Sequence, residues 1–134
     1  MIFYVAGGTG GHLYPAIAIY QELKGDSKFI VPRKLPAEKI LSNYNIKPII
    51  SKFGKKEYLM LPYYLLKVLK IFFNHKPKML IAMGGSVCIP YVFIAWLLNI
   101  PVFTFEQNSY PGRAVRVCQF FSRKIITSFE ITKT

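Results

Sequence analysis

"VAGGTGGHLYPAI", residues 5–17, decides how the rest of the chain is read. An apolar run ends in four glycines and a threonine, a histidine follows, and Pro15 then sits in the opening turn of a helical stretch that Gly25 closes. Proline near a helix start and glycine just past its end are the asymmetry of an α-helix, so the segment is a strand, a tight glycine turn and a helix. Outward from it, short β-type runs alternate with helical stretches along the chain. Strands are expected at Ile2 to Ala6, Lys28 to Val31, Lys47 to Ser51, Met79 to Met83, Val102 to Phe105 and Lys124 to Ser128. Helices are expected at Leu13 to Lys24, Pro36 to Tyr44, Tyr58 to Phe73, Val87 to Leu98 and Gly112 to Phe121. Continuous apolar strands joined by helical crossovers define a Rossmann-like, doubly wound α/β sheet of about six parallel strands. In such a sheet, ligands gather outside the carboxyl ends of the strands.

The chain has 134 residues, 52% of them apolar, enough for one domain with one core and too few for two. Eighteen Lys and Arg against six Asp and Glu give a net charge of +12, a surface suited to phosphates, anionic lipid headgroups or nucleic acid. The basic residues are dispersed, however, and no RNP-like, zinc-finger or helix-turn-helix signature accompanies them, so no nucleic-acid partner is expected. Cys88 and Cys118 lack CxxC spacing or a Cys/His cluster; free thiols in a reducing compartment fit better than a zinc site or a disulfide framework. "MIFYVAGG" has neither the basic start nor the long apolar segment of a secretory leader, and none is expected.

Three turns at strand carboxyl ends carry the polar chemistry. In the first, Gly7, Gly8, Gly10 and Gly11 follow a strand and precede a helix, so backbone N–H groups there can converge on an anion with the helix dipole behind them. The turn departs from the dinucleotide fingerprint, because Leu13 stands where its last glycine belongs and strand two ends in Val31-Pro32-Arg33 without a ribose-binding acid. It also lacks the Lys-Ser or Lys-Thr of a P-loop. His12 is placed to take a proton from a hydroxyl near neutral pH, or simply to cap a tight turn. His75, in "NHKPK", belongs to a solvated helix end. The second turn, "MGGSVCIP" (Met83 to Pro90), repeats the pattern with Gly84, Gly85 and Ser86 as another backbone cradle. The third, "FEQNSYPG" (Phe105 to Gly112), supplies Glu106, Gln107, Asn108 and Tyr110 before a Pro-Gly turn, a density of polar groups suited to a sugar.

"GGTGGHLYPA", "MGGSVCIP" and "EQNSYPG", in this order across an α/β chain, closely resemble the N-terminal domain of the MurG family, bacterial glycosyltransferases of peptidoglycan synthesis with a two-domain GT-B fold. The resemblance extends to "SFEITK", similar to the segment before that family's interdomain linker. It implies an inverting hexosyltransferase that moves N-acetylglucosamine from UDP-GlcNAc to the undecaprenyl-pyrophosphoryl-MurNAc-pentapeptide lipid, peripheral on the cytoplasmic face of the cell membrane. By the same resemblance His12 is the general base, and Thr9, Gly10 and Gly11 lie against the donor or acceptor pyrophosphate. Asn108 reaches the donor, and Glu106 and Gln107 shape the cleft. Phe105 and Cys88 depart from the family pattern, which usually has histidine and serine there. The family's C-terminal domain, which grips most of the nucleotide sugar, has no counterpart in these residues, so the chain alone is expected to be inactive without it or a separate subunit. No cofactor is implied, and no carboxylate pair or DxD-like motif points to a metal, leaving dipoles to stabilise the departing diphosphate.

The greasy stretch Tyr58 to Phe73 is interrupted by Pro62, Lys67 and Lys70 and falls short of the roughly 18 to 20 apolar residues a membrane span needs. With Lys55, Lys56, Lys76 and Lys78 around it, it can cover the sheet, rest on an anionic membrane surface with snorkelling lysines, or do both. A reading from another class also remains: a non-catalytic module that binds a lipid or phosphate ligand and docks a catalytic partner at the membrane.

Overall fold

The computed structural model describes residues 1–51, 59–108 and 112–127. Outside them fall Lys55, Lys56 and Tyr58 before the greasy helix, Ser109, Tyr110 and Pro111 of the third turn, and the terminal "SFEITKT" with the expected strand end at Ser128.

Six strands form in the expected order: β1 (Ile2–Val5), β2 (Ser27–Pro32), β3 (Ile49–Ser51), β4 (Met79–Ala82), β5 (Val102–Glu106) and β6 (Lys124–Thr127). Every neighbouring pair is parallel, in the order β3-β2-β1-β4-β5-β6. Among the described residues the helices are α1 (Gly10–Leu23), α2 (Leu35–Ser42), α3 (Leu61–His75), α4 (Cys88–Leu97) and α5 (Arg113–Cys118), the last continued by a 3₁₀ turn over Gln119–Phe121.

Alternation along β1 shows why the central strands read as unbroken apolar runs. Phe3 and Val5 face a core layer built with Tyr64, Val68 and Phe72 of α3 and Cys88, Tyr91, Val92 and Ala95 of α4. Tyr4 faces the opposite layer, made with Leu13, Ala16 and Ile17 of α1 and Ala37 and Leu41 of α2. Both faces of the strand are therefore dry, and both residue parities must be apolar. Ring contacts knit each layer: Phe3 meets Phe72 edge to face at 5.2 Å, and Tyr4 stacks on Phe29 at 4.9 Å. At the end of β3, the Ser51 and Tyr64 hydroxyls bond to one another, and the Tyr91 hydroxyl joins them, its pKa pushed up by burial.

With α1 and α2 on one face and α3 and α4 on the other, the chain leaves β1 and β4 in opposite directions. Those two strands are neighbours, so a crevice opens between their carboxyl ends, the switch point at which open α/β sheets bind ligands.

One expectation needs correction. α1 begins at Gly10, three residues before Leu13, because the His12 and Leu13 N–H groups both bond to the Thr9 carbonyl and close the first turn within the glycines. Pro15 therefore lies in the second turn, where its missing N–H removes the usual bond to the Gly11 carbonyl.

Helix α3 divides its circumference cleanly. Tyr64, Val68 and Phe72, four residues apart, are buried, whereas Tyr63, Leu66, Lys67, Lys70 and Phe73 are exposed. The Lys67 ammonium lies 4.8 Å above the Tyr63 ring, so the exposed stripe mixes apolar surface with cations. Among the described residues no helix is long and apolar enough to cross a membrane.

Candidate functional site

The three turns picked out from the sequence meet at the switch point, and their meeting is made of backbone. The Gly7 N–H donates to the Gly84 carbonyl at 3.0 Å, joining the first turn to the second. Gly84 and Gly85 have φ of +106° and +93°, a region L side chains rarely adopt. Space is as tight as the backbone. A Cβ on Gly7 would stand 2.7 Å from His12 Cδ2, one on Gly84 3.0 Å from His12 Cε1, and one on Gly85 3.0 Å from the Gly7 α-carbon. The imidazole thus lies in a slot whose walls are bare glycine backbone.

A single oxygen orients that ring. The Met83 carbonyl lies 3.0 Å from His12 Nδ1 and accepts the Gln107 side-chain amide at 3.3 Å, so groups from all three turns converge on it. A carbonyl only accepts, which requires a proton on Nδ1; in the neutral ring Nε2 then carries the lone pair. The residue is half-buried. An imidazole in this state can accept a proton from a ligand hydroxyl.

Around it, Thr9 is the exposed N-cap of α1, and the first-turn amides of Gly10 and Gly11 have no partner among the described residues. Ser86 is exposed on the second turn. Cys88 opens α4 with its thiol on the Val5 and Gly84 carbonyls, both at 3.2 Å, pinning the second turn to the end of β1. Burial pushes its pKa up, and that of Cys118 up to about 12, so both free thiols are neutral structural groups. Phe105, the other departure from the family pattern, packs into the layer beneath α1.

Glu106 has a more definite place than the sequence allowed. It is buried, and its two carboxylate oxygens accept the Asn108 N–H at 2.9 Å and the Gly112 N–H at 3.0 Å. The carboxylate holds the third turn in shape, on either side of residues 109–111, and acts on the cleft through that turn. Gln107 contributes through Met83, and Asn108 stands exposed beside them. Two contributors escaped the sequence reading. The Met83 carbonyl has no side-chain signature at all, and Gly7 was legible only as one glycine among four.

Comparison with known proteins gives the family and the fold. Residues 2–127 match the model of the glycosyltransferase family 28 N-terminal domain. The chain belongs to that family. Among curated relatives of this family 28 domain, the UDP-N-acetylglucosamine–N-acetylmuramyl-(pentapeptide) pyrophosphoryl-undecaprenol N-acetylglucosamine transferase of Rickettsia canadensis (strain McKiel) is 34% identical over 142 residues. The match takes in 98% of this chain and 39% of the relative. The Acinetobacter baumannii MurG crystal structure superposes with a TM-score of 0.82 at 23% identity, over 99% of this chain and 43% of that one. A UDP-GlcNAc 2-epimerase from Methanocaldococcus jannaschii superposes with a TM-score of 0.71 at 16% identity, over 98% and 40% respectively. At those identities the structural likeness establishes the fold. The family 28 domain described here spans about two fifths of the length of the curated relatives it matches.

Proposed function

We propose that this chain is the acceptor-side, N-terminal half of a GT-B enzyme. That enzyme transfers N-acetylglucosamine from UDP-GlcNAc to the undecaprenyl-pyrophosphoryl-MurNAc-pentapeptide lipid of peptidoglycan synthesis. The observation that carries the reading is the convergence of three turns on the Met83 carbonyl; a neutral His12 donating to it from Nδ1 would keep its lone pair on Nε2 and serve as the base of the switch-point crevice. The relatives' transferase names favour this over a non-catalytic docking module.

In the proposed reaction the acceptor hydroxyl lies against His12 Nε2 and gives up its proton as its oxygen bonds to the anomeric carbon. The bond from that carbon to the diphosphate breaks on the opposite face, inverting the centre, and UDP departs. The Gly10 and Gly11 amides at the head of α1, with Thr9 beside them, face the diphosphate of one substrate, with the helix dipole behind them. Gly84, Gly85 and Ser86 form the opposite lip, and the turn held by Glu106 brings Gln107 and Asn108 to the same crevice. The uracil and most of the nucleotide sugar fall to a second domain beyond the family 28 segment. In the full-length protein, His12→Ala should lower turnover by about 10²- to 10⁴-fold while leaving the KM for UDP-GlcNAc nearly unchanged. Undiminished turnover would remove His12 from the chemistry.

The outer face of α3 supplies the proposed membrane contact, on the cytoplasmic side, where the acceptor headgroup is presented. Leu66 and Phe73 would enter the headgroup region while Lys67 and Lys70 snorkel to its phosphates. Sedimentation with vesicles should then show more binding to anionic than to neutral bilayers, and a Lys67→Glu/Lys70→Glu variant should lose the difference. Equal, negligible binding to both would defeat the assignment.

A further inference from the structure

We infer that Lys34 is an additional diphosphate-binding residue of this crevice, one that the glycine turn itself positions. The inference rests on the proposed function for the identity of the ligand, but the contact that motivates it does not. Lys34 follows the carboxyl end of β2 and is the N-cap of α2, on the same rim as the three turns. Its aliphatic stem lies flat over Gly8 in the first turn. A Cβ built on Gly8 would stand 3.1, 3.2 and 2.7 Å from the Cβ, Cγ and Cδ of Lys34, so three successive methylene-level carbons occupy the space that glycine leaves open.

A lysine stem packed in this way has a short tether. Nζ is two bonds beyond a carbon already seated on the turn, so its reach is confined to the neighbourhood of Gly8. The residue is exposed, and none of the four carboxylates among the described residues pairs with it. An ammonium tethered over the glycine turn, with no acid among the described residues to neutralise it, matches a ligand carrying more than one phosphate charge. Adjacent Arg33 shares the exposure, but the three atoms nearest the space over Gly8 all belong to Lys34. The contact therefore singles out one of two neighbouring cations. Both proposed substrates carry a diphosphate, and the chemistry shared by them is what Lys34 would recognise: two linked phosphates against a point charge with rotatable donors.

The test uses the full-length protein with Lys34→Ala, Lys34→Arg and Arg33→Ala, read by KM for each substrate, kcat, and the inhibition constant of inorganic pyrophosphate. Lys34→Ala should raise the pyrophosphate inhibition constant and the KM for one diphosphate substrate by about tenfold, with kcat changed by less than about twofold. Lys34→Arg should recover most of the loss, and Arg33→Ala should stay within about twofold of the parent. A rise confined to the lipid-linked acceptor places Lys34 under the acceptor diphosphate; a rise confined to UDP-GlcNAc places it under the donor.

All constants within about twofold for Lys34→Ala, or equal losses for Lys34→Ala and Arg33→Ala, would overturn the assignment, the second by revealing a diffuse field in place of a positioned contact. If His12→Ala left turnover intact, the proposed chemistry would fail while the pyrophosphate measurement still judged Lys34. Were no variant to turn over, calorimetric titration of pyrophosphate into the parent and Lys34→Ala proteins would read the same contact, equal affinity refuting it.

Discussion

The first and second glycine turns look interchangeable as sequence, GGTGGH against MGGSVC, yet they use glycine for different reasons. In the first turn no glycine has a positive φ; what glycine supplies there is room, with Gly7 against the His12 ring and Gly8 beneath the Lys34 stem. In the second, Gly84 and Gly85 need both the room and the backbone, since each has a positive φ and each would drive a Cβ into a neighbour. The neighbours also differ in kind. Gly8 faces the flexible stem of a surface lysine, whereas Gly85 faces the Gly7 α-carbon and, at 3.3 Å, its nitrogen. The second turn is thus a rigid bracket locked to β1, and the first is a surface over which side chains lie.

Replacing Gly85 by alanine is the strongest challenge to this contrast. The substituted residue would have to hold φ near +93° and push its Cβ against backbone that itself donates to the Gly84 carbonyl. Strain and overpacking together should cost about 2–5 kcal/mol, read as a shift of the denaturant midpoint. Turnover of the full-length protein should fall as well, because His12 and the Met83 carbonyl are set by the same bracket. A loss smaller than about 0.5 kcal/mol would show the two turns to be equally replaceable.

How far these differences could be read from sequence depends on whether a side chain reports them. The central strands were legible because burial on both faces forces Phe3, Tyr4 and Val5, or Leu80 and Ile81, into continuous apolar runs. The helices were legible to within a few residues at their ends, and the start of α1 was misplaced for a definite reason: Gly10 and Gly11 have loop propensity but become helical once the Thr9 carbonyl collects two amides. His12 and the polar third turn stood out as residue types. Their relation did not, because the atom that joins them is the Met83 carbonyl, and every residue has a carbonyl. Glu106 was visible as a carboxylate, but composition cannot distinguish one that faces a ligand from one already occupied by the Asn108 and Gly112 amides. Lys34 was hidden differently. Eighteen Lys and Arg make each single lysine uninformative until one is seen lying on a glycine of the site.

Alanine at Gly8 is the gentler probe, and it sharpens the contrast from the other side. Here φ is not positive, so alanine brings no left-handed strain, and the three nearest atoms its methyl meets among the described residues belong to the Lys34 stem. That stem can rotate away. The cost of displacing it is offset by the smaller conformational entropy of the unfolded chain with alanine in place of glycine, and stability should stay within about 1 kcal/mol of the parent. The crevice chemistry separates two outcomes that stability cannot. If Lys34 owes its position to the bare backbone beneath it, Gly8→Ala should reproduce part of the Lys34→Ala defect in pyrophosphate inhibition, about a two- to fivefold weakening with kcat nearly intact, and should add nothing further in the double variant. If the methyl instead destabilises the protein as strongly as Gly85→Ala does, the first turn is a bracket too, and the difference between the two glycine turns disappears.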